Sequence, residues 1–455
     1  MTTTASRIFV DPTTLRARFA ARLSDLYGTE VPAYTTLLTV SGEVNRRVLA
    51  RDGADAERLG SIERVTAERH GAIRVGSPRE LAQVARIFGA LGMRPTGFYD
   101  LRDAYPRPIP VISTAFRPID RDELAANPFR VFTSMLVPED RRFFSADLEE
   151  RLRRFIDERT LFAPEVLELA DRAEAGGGLE SADADRFLTL ATESFALSRE
   201  PVDRAWYDEL ERVSAVAADI GGVARTHINH LTPRVLDIDD LYVSMQARGV
   251  EMIDAIQGPP GWEGPDVLLR QTSFRALAEP RVYRETDGSL VEGTMRVRFG
   301  EVEARGIALT PAGRDIYDRA MEDQARWSEY WPATERELHD RGLAFFTYRV
   351  ADEPPAGLPP EAATGVDLVA GGWLVAEPIV YEDFLPRSAA GIFASNLTGT
   401  GSTDAGQGGA DRDLAWLAER IGRTINVPEE LYAAQSLASL RAARERLRQV
   451  ARGQA

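Results

Sequence analysis

The 455-residue chain has no cysteine, no lysine and four histidines. Without cysteine there is no disulfide, thiolate nucleophile, iron–sulfur cluster or thiolate zinc site. Without lysine, all 55 basic residues are arginines. This excludes a pyridoxal phosphate Schiff base, lysine-dependent aldol chemistry and a phosphate-loop lysine. Neither a Gly-x-Ser-x-Gly elbow nor a Gly-x-Gly-x-x-Gly turn between strand and helix occurs. No apolar run approaches the ~20 residues that span a bilayer. The stretch Met1–Arg7 lacks the apolar region of a signal peptide, so a soluble cytoplasmic protein is expected. A net charge of −16 argues against nucleic acid or an anionic membrane as partner. What remains is chemistry by His, Asp, Glu, Tyr, Ser or Arg, or by a metal bound through nitrogen and oxygen.

A length of 455 residues with 44% hydrophobic content suggests two or three domains, or one core with large additions. Residues 1–62 read as helical, with apolar positions every three or four residues in Thr14–Leu23. Residues 63–138 read as β-α-β-β-β. An extended segment at 70–75 is followed by a helix at 79–91 behind the Ser77-Pro78 cap, then strands at 96–101, 110–117 and 129–136. Residues 139–220 are charged, helical in period and broken by Gly176-Gly177-Gly178, as in an insertion. Residues 221–310 repeat the first pattern, with an extended start at Thr226, a helix at 238–249 and strands at 267–277 and 293–305. The remainder, 311–455, carries a helix at 311–327, an apolar stretch from Val366 to Val380, a Gly-rich loop at 399–409 and a charged helical end. The expected fold class is α+β, with paired β-α-β-β-β modules and helical additions.

Histidine is the commonest metal ligand and the usual acid or base near neutral pH. Two of the four lie in Arg225-Thr226-His227-Ile228-Asn229-His230. Side chains on a strand alternate between faces, so His227 and His230, three apart, cannot both reach one metal. We take His227 as the ligand and His230 as a supporting residue. His70 and Arg74 are four apart and share a face. That spacing suits a metal at His70 and a carboxylate of a short diacid at Arg74. Glu301, Glu303 and Arg305 share a face of a third strand. Carboxylates on an otherwise apolar strand are costly unless solvated, paired or metal-bound. Two histidines and one carboxylate on three strands form the facial arrangement of non-haem Fe(II) oxygenases. Gln271 lies on a strand of the same half and is a further pocket candidate. His339, in a charged run, is expected to be solvated.

Three segments together resemble a known family. They are Arg225-Thr-His-Ile-Asn-His-Leu-Thr-Pro-Arg234, Phe299-Gly-Glu-Val-Glu-Ala-Arg-Gly-Ile-Ala-Leu-Thr310 and Tyr381-Glu-Asp-Phe-Leu-Pro-Arg-Ser-Ala-Ala-Gly-Ile-Phe393. The family is 2-oxoadipate dioxygenase/decarboxylase, also called 2-hydroxyglutarate synthase, and it is associated with lysine catabolism. The resemblance implies a vicinal-oxygen-chelate-like core, Fe(II), O2 and a 2-oxo diacid substrate. Its metal ligands fall here on His70, His227 and a glutamate of Gly300-Glu-Val-Glu. Similarity to the last metal strand of hydroxyphenylpyruvate dioxygenase sets Arg305 on that strand's arginine. Glu301 is then the ligand and Glu303 the second choice. Arg74 matches the family's arginine for a substrate carboxylate. Arg387-Ser388 matches a substrate-facing Val-Ser pair, with arginine a departure from valine. Other readings on the same core are a different metal-dependent 2-oxo acid dioxygenase or isomerase, or a ligand-binding protein without chemistry.

Overall fold

The computed structural model describes residues 9–104, 108–296, 298–385, 404 and 406–451. Arg387 and Ser388 lie outside the described residues, as does most of the Gly-rich loop. The fold is a mixture of helices and several sheets.

The principal sheet begins with the segment around His70. Strand β1 (Arg69–Val75) is followed by the helix Pro78–Ala90, and then by β2 (Arg94–Asp100), β3 (Val111–Arg117) and β4 (Arg130–Leu136). The helix starts at Pro78 because the Ser77 side chain accepts from the Glu80 amide, capping an otherwise orphaned donor. Leu81, Val84, Ile87 and Phe88 form its buried face. β1 is parallel to β4 and antiparallel to a fifth strand, β5 (His230–Pro233). The strand order is β2-β3-β4-β1-β5. Both faces are covered, so β3 and β4 are buried at every position.

After β5 the chain forms the helix Ile238–Gln246 and four strands. These are β6 (Leu269–Phe274), β7 (Glu279–Arg284), β8 (Leu290–Met295) and β9 (Gly300–Arg305). The expected strand at 293–305 is therefore two strands. β7 and β8 make a hairpin that the sequence reading missed. Its turn contains Asp287-Gly288, and Gly288 has a φ of 83°, a conformation glycine adopts without strain. β9 pairs with β6, where Gly300 faces Phe274. A Cβ on Gly300 would fall 1.7 Å from the Phe274 ring, so this glycine is required by the close approach. A bridge between Arg234 and Glu303, with the Val235 amide donating to the Glu303 carbonyl at 2.8 Å, joins β9 to the end of β5. The three histidine- and glutamate-bearing strands β1, β5 and β9 are thereby neighbours.

The helices Pro12–Glu30 and Pro32–Asp52 pack on one side of this assembly through Phe19, Leu23, Tyr27, Leu37 and Val44. Between β4 and β5 lie the helices Ala146–Glu158, Pro164–Gly176, Ser181–Glu193, Arg204–Val213 and Ala215–Gly221. The last of these contributes Val216, Ala217, Ala218 and Ile220 to a second apolar core with Phe132, Phe299 and Phe384. The apolar stretch at 366–380 divides into the helix Gly365–Ala370 and the strand Leu374–Pro378, which pairs with Phe346–Val350. The expected helix at 311–327 ends at Ala320.

Candidate metal centre

The register of the sheet fixes which side chains meet. On the β1–β5 ladder, His70 lies opposite Thr232 and Ala72 opposite His230. His70 and His230 are thus diagonal neighbours on one face, a relation that lets long side chains touch. Arg234 bridges Glu303. His230 lies four residues before Arg234, and Glu301 two residues before Glu303, so alternation brings both to the same face.

The side chains converge accordingly. His70 Nε2 is 3.2 Å from Glu301 Oε1, and His230 Nε2 is 3.7 Å from Glu301 Oε2. Donor atoms of His70, His230 and Glu301 all fall within 4.8 Å of one another, and all three residues are buried. Two ligands of a first-row metal at right angles, each about 2.1 Å from it, are about 3 Å apart. The donor set and its spacing therefore fit a divalent metal bound by two imidazoles and one carboxylate. Electrostatics agree with this fit. Burial raises the Glu301 carboxyl above its usual range despite the opposing pull of His70, and a bound cation would favour its charged form.

His227 is the correction. It was expected in the triad, but the structure brings His230 there instead. Residues 226–229 run beside β1 without entering the ladder, and regular pairing begins at His230. His227 Nε2 lies 3.3 Å from Asp219 Oδ1 and 3.1 Å from Asn229 Nδ2. Burial lowers its pKa to about 4, outweighing Asp219. His227 also borders a cavity of about 270 Å³ with Val223, Arg281 and Met295. His227 and His230 do diverge, but the parity argument assumed a strand from 226 where regular pairing begins only at 230. It could not say which of the two belongs to the strand that faces β9.

Each ring of the triad is held from behind. His70 Nδ1 is 3.0 Å from Glu303 Oε2, and burial, which would lower the His70 pKa, is overcome by Glu303 and Glu301. His230 Nδ1 is 3.0 Å from Thr232 Oγ1, and its ring stacks on Phe299. Phe384 packs edge-on against His70 with ring centroids 5.0 Å apart. Gln271 Nε2 donates to Glu301 Oε1 at 2.5 Å. Gln271 thus touches the carboxylate itself, a closer role than the pocket wall expected of it.

Glu303 belongs to a buried cluster of opposite charges. Arg305 donates to both of its carboxylate oxygens at 2.7 and 3.0 Å, and Arg130 lies 3.4 Å away. Arg130 also pairs with Glu68 at 2.7 Å and with Glu382. Arg234 joins Glu68 at 3.2 Å. Burial pushes the Glu303 carboxyl up, but Arg305, His70 and Arg130 together outweigh it and hold the group at about 2. Glu68 is likewise held well below the carboxylate range by Arg130 and Arg234 against its burial. Of this cluster the sequence reading named Glu303 and Arg305, whereas the contributions of Glu68, Arg130 and Glu382 come from distant segments.

Arg74 lies on the same face of β1 as His70, is 3% exposed and pairs with the buried Asp219. Asp219 was not anticipated, although an acid within the apolar run Val216–Ile220 was a legible signal. His339 is also corrected. It is buried, with Nδ1 3.0 Å from Asp340 and Nε2 3.3 Å from the Tyr348 hydroxyl.

Comparison with known proteins places this geometry in context. Residues 19–396 match the family model for 2-oxoadipate dioxygenase/decarboxylase. A Mycobacterium tuberculosis protein named 2-oxoadipate dioxygenase/decarboxylase is 58% identical over 92% of this chain and 96% of its own. The crystal structure of the Pseudomonas putida hydroxyglutarate synthase in complex with 2-oxoadipate superimposes with a TM-score of 0.81. It is 36% identical and covers 97% of this chain and 99% of that one. A Ralstonia eutropha structure assigned provisionally to the glyoxalase superfamily shares fold alone, with a TM-score of 0.50, 23% identity and coverage of 65% and 84%. The chain belongs to the 2-oxoadipate dioxygenase/decarboxylase family.

Proposed function

We propose that this chain converts 2-oxoadipate and O2 to 2-hydroxyglutarate and CO2, using Fe(II) held by His70, His230 and Glu301. The reaction balances without an external reductant, because both oxygen atoms of O2 end in the two products. The observation that carries the reading is the convergence of two imidazoles and one buried carboxylate from three strands, with Arg74 on the same face of β1. Fe(II), when bound, supplies the centre that chelates a 2-oxo acid and activates O2.

The chain's own residues do the rest. Gln271 and the His70–Glu303 contact hold the ligating groups in place. Arg74 takes the far carboxylate of the diacid, for which its planar fork is suited. Phe132, Phe299 and Phe384 line the neighbouring apolar core and keep water from the reacting end. Ser388 and Arg387 remain proposed substrate contacts on the strength of the motif. The paired-module core is read as vicinal-oxygen-chelate-like, which the fold likeness to the Ralstonia eutropha protein supports. No helix among the described residues is long and apolar enough to cross a membrane, and a cytoplasmic location is proposed on the cysteine-free composition.

The test is an anaerobic preparation loaded with Fe(II), mixed with 2-oxoadipate and then exposed to oxygen. Equimolar CO2 and 2-hydroxyglutarate are expected. If neither appears, the substrate assignment is wrong.

A further inference from the structure

Asp219 sits on the helix Ala215–Gly221 among Val216, Ala217, Ala218 and Ile220, and is 3% exposed. A carboxylate in such surroundings is costly unless its oxygens are occupied by donors. Asp219 Oδ2 accepts from Arg74 Nη1 and, at 2.9 Å, from Asn229 Nδ2, while Oδ1 faces His227. The segment that supplies Asn229 and His227 is itself tied to β1. Thr226 Oγ1 donates to the Arg74 carbonyl at 2.7 Å, and the Asn229 amide donates to the Ala72 carbonyl at 2.8 Å. Helix, segment and strand are thus joined at one point, the Asp219 carboxylate. The helix is in turn seated closely, since a Cβ on Gly221 would fall 2.3 Å from Leu152.

We propose that Asp219 is a positioning residue for Arg74 that sets selectivity for a 2-oxo acid with a second carboxylate. This rests on the reading of Arg74 given above. The carboxylate fixes the orientation of the guanidinium through the hydrogen bond that Arg74 donates. Recognition of the far carboxylate then depends on fork geometry at one distance from the metal, rather than on a bare positive charge that any anion would satisfy. A mono-acid lacking that carboxylate makes no use of the arrangement.

The experiment compares 2-oxoadipate with 2-oxohexanoate, its analogue without the far carboxylate, assayed as alternate substrate or competitive inhibitor. D219A raises the KM for 2-oxoadipate about tenfold or more, with kcat within about threefold, because a charge-assisted contact made in ground and transition states is loosened. The KM or Ki of 2-oxohexanoate moves by less than about twofold, since it lacks the group that Arg74 receives. D219N, whose amide oxygen still accepts from Arg74, recovers affinity for the diacid to within about threefold of the parent. Where D219A does not fold, D219S is read in its place. Equal losses for both compounds, no loss for either, or D219N no better than D219A overturns the inference. The parent protein failing to turn over 2-oxoadipate rejects the activity itself. Arg74→Ala leaving the preference for the diacid intact rejects the reading of Arg74 while the activity stands, and the inference falls with it.

Discussion

His70 Nδ1 faces Glu303 Oε2 at 3.0 Å, while its Nε2 faces Glu301 Oε1 at 3.2 Å. One imidazole is thus held between two carboxylates of the same strand, one on each nitrogen. A carboxylate behind a ligating histidine fixes its tautomer and raises its basicity. Glu303→Gln is expected to weaken metal affinity about 10- to 100-fold, the usual cost of losing such a partner. Competition against a chelator of known affinity checks this, and unchanged affinity would show that Glu303 does not support the metal site.

The two histidines of the 225–230 segment separate the alternatives cleanly. His230→Ala is expected to abolish stoichiometric metal after dialysis, because it removes one of three converging donors. His227→Ala is expected to retain the metal, because its Nε2 faces Asp219 and Asn229. Elemental analysis of both variants decides the matter, and the reverse outcome would restore His227 as the ligand.

Metal binding is also expected to stabilise the folded chain. At a free metal concentration 100 times Kd, a ligand specific to the native state adds about 2.7 kcal/mol. Anaerobic thermal melts with and without Fe(II) should therefore differ for the parent protein and coincide for His230→Ala. A shift of equal size in both would place the binding elsewhere.

Acid should unfold the protein through its buried carboxylates. Glu303 is held at about 2 against an ordinary 4.5, because Arg305, His70 and Arg130 together outweigh its burial, and Glu68 is lowered by Arg130 and Arg234. A depressed native pKa gives stability that is complete above the unfolded value and is lost as the pH falls towards the native one. For Glu303 alone the loss is on the order of 3 kcal/mol between about pH 5 and pH 2. Denaturant titrations across that interval measure it. A flat profile would mean that the cluster contributes nothing to pH-dependent stability.

The four strands and the long helix of residues 69–136 were legible because each carried its own signal, whereas the short helix Arg121–Ala126 was not read. Examples are the Ser77-Pro78 helix start and the β-branched and aromatic residues of 111–117 and 130–136. Strand alternation gave the shared faces of His70 with Arg74 and of Glu301 with Glu303, while the choice of Glu301 over Glu303 came from resemblance to a known metal strand. The choice between His227 and His230 did not, because alternation gives relative facing and the starting residue of β5 is set by pairing with β1. Asp219, Glu68 and Arg130 were missed for a related reason. Glu68 and Arg130 look like ordinary charges locally, Asp219 stands out only by its apolar neighbours, and their partners lie at least 62 residues away except for Asn229 and His227. The β7–β8 hairpin was missed although its Asp287-Gly288 turn is a local signal.

The donors at 70, 230 and 301 come from β1, β5 and β9, and among the described residues seven helices lie between β1 and β5. Closing such long loops is entropically unfavourable until the sheet that rewards it has assembled. High-affinity metal capture is therefore a late event in folding. A nascent chain that has not yet reached β9 offers two imidazoles and no carboxylate partner. On the proposed ligand set, the centre would thus discriminate between finished and unfinished molecules.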